Sequence, residues 1–260
     1  MRMGNPAIRT VVRRAESGSI EVQSPATYGG ITLKSIYFSV LTIIAGVFSA
    51  LLLRYAIAIE SEKLLMTLLI TVGVCAVVML ILSLVALFAP RSVKVVGSIF
   101  ALLQGITLGV VVYLVDLFFP GVALAAILGT AIVFVISVAL NRLFHVRSTG
   151  RVVRVLLVAF MSLIVVQIVM LIYAFVCGMT ETFFQAYFWI QLIASAICVL
   201  YASVLLMWDL QAASSIVEMG ADKSLEWQVA FSLVTTLVYL YLEILELILR
   251  FVALFVNNKK

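Results

Sequence analysis

Charge is what this 260-residue chain has least of: 11% of its residues are charged against 65% hydrophobic, and its mean hydropathy is +1.27. Soluble domains carry about a quarter charged residues, so water is excluded as the solvent for most of the chain. Histidine is nearly missing as well. His145 is the one copy, which rules out a zinc site built from several imidazoles of this chain. The three cysteines, Cys75, Cys177 and Cys198, lie in or at the end of apolar runs without CxxC spacing. They read as small buried hydrophobes rather than a disulfide or metal framework. No GxSxG elbow, HExxH pair or P-loop occurs, so the chain is expected not to be an enzyme and to need no cofactor. Residues 1–34 lack a long apolar stretch near the start and do not read as a secretion signal. They are expected to form a flexible basic cytoplasmic tail.

What the chain has in excess is long apolar sequence. A helix crossing the ~30 Å hydrocarbon layer needs about 20 apolar residues. Seven such runs are present, over 35–59, 64–89, 95–118, 122–144, 155–177, 186–210 and 227–256. They show no period-2 alternation, which excludes a closed β-barrel. The sequence therefore predicts an all-α polytopic membrane protein of seven transmembrane helices, one domain over 35–256 followed by a polar end, 257–260. Bases gather in alternate connections: Arg2, Arg9, Arg13, Arg14 and Lys34 in the tail, Arg91 and Lys94, then Arg142, Arg147, Arg151 and Arg154. That pattern keeps the N-terminus cytoplasmic. It has no aromatic-interleaved basic patch, so the partner it implies is a lipid bilayer and not nucleic acid. The sixth connection, residues 211–228, is long and mixes apolar and acidic residues, as an amphipathic surface segment does.

Ionisable groups inside a spanning segment cost at least ~2.5 kcal/mol each and mark functional sites by default. Arg54, Asp116, Asn141 and Arg142 lie near run ends, where side chains reach the interface. Gln104, Gln167 and Gln191 are uncharged and suit hydrogen bonds between helices. The last run is different. At ~100° per residue, Ser232, Thr236, Tyr239, Glu246 and Arg250 all fall within roughly 60° of Glu243. A polar stripe of that length excludes a lipid-facing position and predicts that the seventh helix is central. Glu246 and Arg250 are spaced to pair at i,i+4, which leaves Glu243 over.

A second acid, Asp209, stands at the end of the sixth run in "WDLQ". Its plain reading is a headgroup-level helix end. Should it meet Glu243, two carboxylates in a low-dielectric site cannot both ionise cheaply and titrate as a unit, a proton sensor. Deprotonated, they offer hard oxygen ligands for Ca²⁺. A symmetric hairpin turning at Gly220–Asp222 instead brings Asp209 opposite a residue near 233.

The stretches "GNPAIR" (4–9), "LLQGITLG" (102–109), "FPGVALAAILGT" (119–130), "WDLQ" (208–211) and "EWQVAFSLVTTLVYLYLEILELILR" (226–250) resemble the Bax inhibitor-1 superfamily of seven-helix membrane proteins. Within it they look most like a bacterial inner-membrane, YccA-like branch. The resemblance implies a pH-sensitive calcium leak, with six helices around a central seventh and Asp209 and Glu243 as the proton-sensing, ion-binding acids. Tyr239, Gln104, Glu246 and Arg250 are the supporting residues, and Ca²⁺ enters as permeant or bound ion. The chain departs from the pattern in three ways. Gln104 replaces an acid in the third span, Glu243 replaces an aspartate, and the second span has no base, a place Arg250 is positioned to take. The alternative reading is a non-conducting protein that binds a membrane protein partner, such as a protease or stress component, and a proton-coupled transporter ranks behind both.

Overall fold

The structure is a computed structural model that describes residues 25–89, 92–144, 150–177 and 181–257. The tail motif at 4–9, His145 with Arg147, and residues 258–260 lie outside the described residues. Among the described residues the chain is helical throughout: α1 (Tyr28–Ala58), α2 (Glu62–Phe88), α3 (Val93–Phe118), α4 (Val122–Phe144), α5 (Gly150–Cys177), α6 (Glu181–Glu218) and α7 (Leu225–Asn257). Each corresponds to one apolar run. Five of them, α1 to α4 and α6, are long and apolar enough to cross a bilayer. α5 holds a shorter apolar stretch, Phe160–Met170. The run of α7 is broken by Glu243, Glu246 and Arg250.

Local chemistry sets the helix ends. Thr27 caps α1 by accepting the Gly30 N–H at 3.0 Å, so α1 starts at Tyr28 and takes in the last residues of what sequence alone assigns to the tail. Ser61 caps α2 in the same way through the Leu64 N–H. Between α3 and α4 the chain turns at Gly121, whose φ of +86° suits glycine. Its N–H donates to Asp116 at 3.2 Å, which gives that interfacial acid a structural task. The expected long sixth connection is short. α6 continues to Glu218 and α7 begins at Leu225, because Ala212, Ala213 and Ile216 are buried and extend the helix.

The described residues divide into two compact units. The first gathers the chain up to Ala123 together with Asp209–Thr235; the second holds Leu124–Trp208 and the chain from Thr236 onward. In the first, Phe38, Ala101, Ala230 and Val234 form a buried centre joined by Trp227 and Phe231. Leu53, Ala56, Leu68 and Val110 pack α1, α2 and α3 at the other end. α1 and α3 come close because Gly105 faces the Thr42 carbonyl and Gly109 faces the Gly46 carbonyl and the Ser49 hydroxyl. In the second unit Gly129 of α4 packs on Ile244 of α7. Large apolar side chains such as Phe48, Ile70, Val77, Leu124 and Val165 are exposed along whole helix faces. Hydrocarbon is the solvent that fits such a surface. α7 is the exception, with no exposed residue from Leu225 to Leu245.

A methyl group at Gly109 would overlap the α1 backbone, whereas one at Gly73 meets nothing within 4 Å. Gly109→Ala is expected to destabilise the fold by ~1–3 kcal/mol and Gly73→Ala to leave it unchanged or firmer. Thermal unfolding in detergent checks both.

Candidate functional site

The α6–α7 hairpin fixes where its acids lie. Its turn covers Met219–Ser224, with Gly220 at φ +58°. Helices leaving so short a turn run back to back, and Asp209 on α6 lands opposite Ser232 on α7. The Ser232 hydroxyl donates to Asp209 Oδ1 at 2.7 Å. The symmetric hairpin register expected near 233 is the one observed. Asp209 is buried, 5% exposed, and lies within α6 rather than at its end.

The second unit holds the other candidates. Glu243 is half-buried on α7 and hydrogen-bonded by the Tyr239 hydroxyl one turn earlier and by the Cys198 thiol of α6. Cys198 is thus more than a small hydrophobe. Glu246 and Arg250 form the expected i,i+4 ion pair, with Arg250 Nε 3.2 Å from Glu246 Oε1 and its Nη2 bonded to the same oxygen. That Nη2 also donates to Gln191 Oε1 of α6 at 3.4 Å, and Gln191 Nε2 donates to Gln167 Oε1 of α5 at 2.5 Å. Arginine has donors only, so the Gln191 carbonyl must face it and its amide nitrogen must face Gln167. Three helices, α5, α6 and α7, are thereby joined by one polar chain.

Of the residues singled out in the sequence, Tyr239, Glu243, Glu246 and Arg250 gather in the second unit, and Asp209 and Gln104 belong to the first. Gln104 is half-buried on α3 and has no hydrogen bond among the described residues. Among the described residues no three His, Cys, Asp or Glu side chains cluster to hold a metal. A cation at either acid would therefore draw most of its ligands from hydroxyls, carbonyls and water.

The sequence matches the family described as Bax inhibitor 1 like over residues 5–253. The chain belongs to the Bax inhibitor 1 like family. The match covers the first six helices, all but the last turn of α7 and every candidate residue, and it makes this an integral membrane protein. No curated protein and no solved structure matches the chain.

One feature of this Bax inhibitor 1 like protein escaped the sequence reading. Glu226, in the first turn of α7, is fully buried yet charged. Its Oε2 lies 2.6 Å from Lys34 Nζ, and its Oε1 accepts the Thr27 N–H at 2.8 Å. Lys34 also donates to the Lys223 carbonyl at 3.1 Å and lies 4.9 Å from the centroid of the Trp227 ring. Ala26 N–H donates to the Ala221 carbonyl at 2.7 Å, and Pro25 bridges to Asp222. The start of α1 is thus clasped to the hairpin turn. No local pattern announces this, because Lys34 and Glu226 are 192 residues apart.

Burial pushes the Glu226 carboxyl up, but the Lys34 hydrogen bond, the Thr27 N–H and the charges of Lys34 and Lys223 outweigh it and hold the group below its ordinary value. A depressed carboxylate contributes stability in full above the unfolded value of ~4.3 and loses it as pH falls through the lower folded one. Unfolding midpoints taken between neutral and acid pH are expected to fall below pH ~4.3 in the parent and to vary less in Glu226→Gln. Lys34→Met, which strands the buried carboxylate, is expected to cost ~3–5 kcal/mol, and Lys34→Met with Glu226→Leu to recover much of that. Chemical denaturation of the single and double variants measures it.

Proposed function

We propose that this protein is a pH-sensitive cation leak of a bacterial inner membrane, of the YccA-like branch, with Ca²⁺ as the ion and Asp209 and Glu243 as its proton-sensing groups. The observation that carries the reading is Glu243: a carboxylate on a helix with no exposed residue from Leu225 to Leu245, hydrogen-bonded by a phenol and a thiol, with Arg250 acting on it only through its charge. A charge kept in such a place has a use, since a neutral residue would pack there at lower cost. Glu246 already has Arg250, so the ion pair accounts for that acid and not for Glu243.

In this reading α7 is the central helix and its polar stripe lines the ion's route. Each acid has its own hydroxyl partner, Ser232 for Asp209 and Tyr239 for Glu243. Losing the negative charge turns each hydrogen bond from charge-assisted to neutral, roughly halving its strength. The Asp209–Ser232 and Cys198–Glu243 bonds join α6 to α7, so that difference biases their arrangement on either side of the titration and couples pH to conduction. The basic tail and connections face the cytoplasm.

Purified protein in liposomes loaded with a calcium dye tests the proposal. The parent is expected to leak Ca²⁺ at a rate that varies between about pH 5 and 8, and Glu243→Gln and Asp209→Asn to flatten that profile at least several-fold. A leak whose pH profile is the same in both variants overturns the sensor. No leak at all, with a membrane protein co-purifying at fixed stoichiometry, replaces it by the interaction reading.

A further inference from the structure

The polar chain of the second unit has one weak link. Gln191 of α6 is buried, 5% exposed, and both ends of its amide are used: Nε2 donates to Gln167 of α5 at 2.5 Å, and Oε1 accepts from Arg250 of α7 at 3.4 Å. The first bond is short, and the second is at the outer limit for a hydrogen bond. Arg250 is also held within its own helix, by Glu246 one turn earlier. Breaking the Gln191–Arg250 link therefore orphans no charge, because Arg250 keeps Glu246 and Gln191 keeps Gln167. Arrangements with the link made and with it broken differ by one long hydrogen bond, the small gap that a two-state element needs.

The Cys198–Glu243 hydrogen bond lies on the same seam between α6 and α7. Cys198 comes seven residues after Gln191 on α6, and Glu243 comes seven before Arg250 on α7. The two contacts thus face the same way on antiparallel helices, about 10 Å apart. Ser195 and Ala202 are buried on that face of α6, and side chains so small let α7 lie close. Glu246 is 48% exposed, whereas Glu243 belongs to the enclosed stretch of α7. The seam is open to its surroundings at the Arg250 end and closed at Glu243.

We propose that Gln167, Gln191 and Arg250 form a lock on the open end of the α6–α7 seam. With the Gln191–Arg250 link made, water is shut off from Cys198 and Glu243; with it broken, water reaches both. Gln191 is the positioning residue, since it bonds to both of its neighbours in the chain. The lock concerns the helices, and only its effect on ions rests on the leak proposed above. There it is a control separate from the titrating acids, because neither glutamine has an ionisable proton.

Alkylation of Cys198 by N-ethylmaleimide in proteoliposomes, read by peptide mass spectrometry, tests the lock without any ion flux. Gln191→Leu, which removes both bonds, is expected to raise the rate about ten-fold, as loss of a hydrogen bond to a charged group shifts an opening equilibrium. Gln191→Glu keeps an acceptor for Arg250 and for the turned amide of Gln167, and is expected to hold the rate at or below that of the parent. Gln167→Leu is expected to raise the rate less than Gln191→Leu and to add nothing to it in the double variant. Ser162→Ala removes a hydroxyl bonded to the Val158 carbonyl of its own helix, and is expected to change nothing. A parental rate in Gln191→Leu overturns the lock, and so does an equal rise in Gln191→Glu, which makes Gln191 a packing residue only. Circular dichroism of each variant confirms that folded proteins are compared. Should Gln191→Leu not fold, a parental rate in Gln167→Leu overturns the lock in its place. Calcium leak from the same vesicles separates the two proposals. Faster labelling with faster leak in Gln191→Leu supports both, and faster labelling with no leak from any variant upholds the lock and overturns the leak.

Discussion

Hydrocarbon offers no hydrogen bonds, so a polar side chain carried into it is costly unless it finds a partner on another helix or in its own backbone. That requirement organises the polar part of this structure. Thr42, Thr107 and Thr130 return their hydroxyls to carbonyls one turn earlier. Groups too strong to be satisfied in that way are matched across helices, as Asp209 is with Ser232 and Gln167 with Gln191. α7 carries several such groups, and no residue of it from Leu225 to Leu245 is exposed. Glu243 lies within that enclosed stretch, whereas Glu246 is about half exposed and is met by Arg250.

The buried clasp at Glu226 obeys the same rule at greater cost. Desolvating an ion pair rarely adds net stability over a well-packed apolar pair, but it penalises any arrangement in which the partners miss each other. Here the alternatives are other registers of α1 against the hairpin turn. Phe38 packs edge to face on Trp227 and Phe231 there, and a carboxylate with both oxygens committed, one to Thr27 and one to Lys34, adds a directional constraint to that register.

Much of the architecture was legible because it follows from local sequence. Seven apolar runs became seven helices, and the Phe118–Gly121 break became the α3–α4 turn. The register of Asp209 against Ser232 followed from turn position and helical rise alone. The Glu246–Arg250 pair followed from spacing. The long sixth connection was misjudged because its polar residues masked the burial of Ala212, Ala213 and Ile216, which keeps α6 helical to Glu218. Cys198 at Glu243, Gln191 between Gln167 and Arg250, and Lys34 at Glu226 were hidden for one reason. Each contact joins distant parts of the chain, 59 residues for Arg250 and Gln191 and 192 for Lys34 and Glu226, and a single sequence carries no trace of such pairings.

The distance between Lys34 and Glu226 also orders the making of the protein. At about 5–20 residues per second, the 192 residues separating them take roughly 10 to 40 s to emerge. Until then Lys34 lacks the carboxylate that it meets in the finished fold. The Gly105 and Gly109 contacts with α1 become available much earlier, so the clasp at Glu226 is among the last contacts of that helix to close.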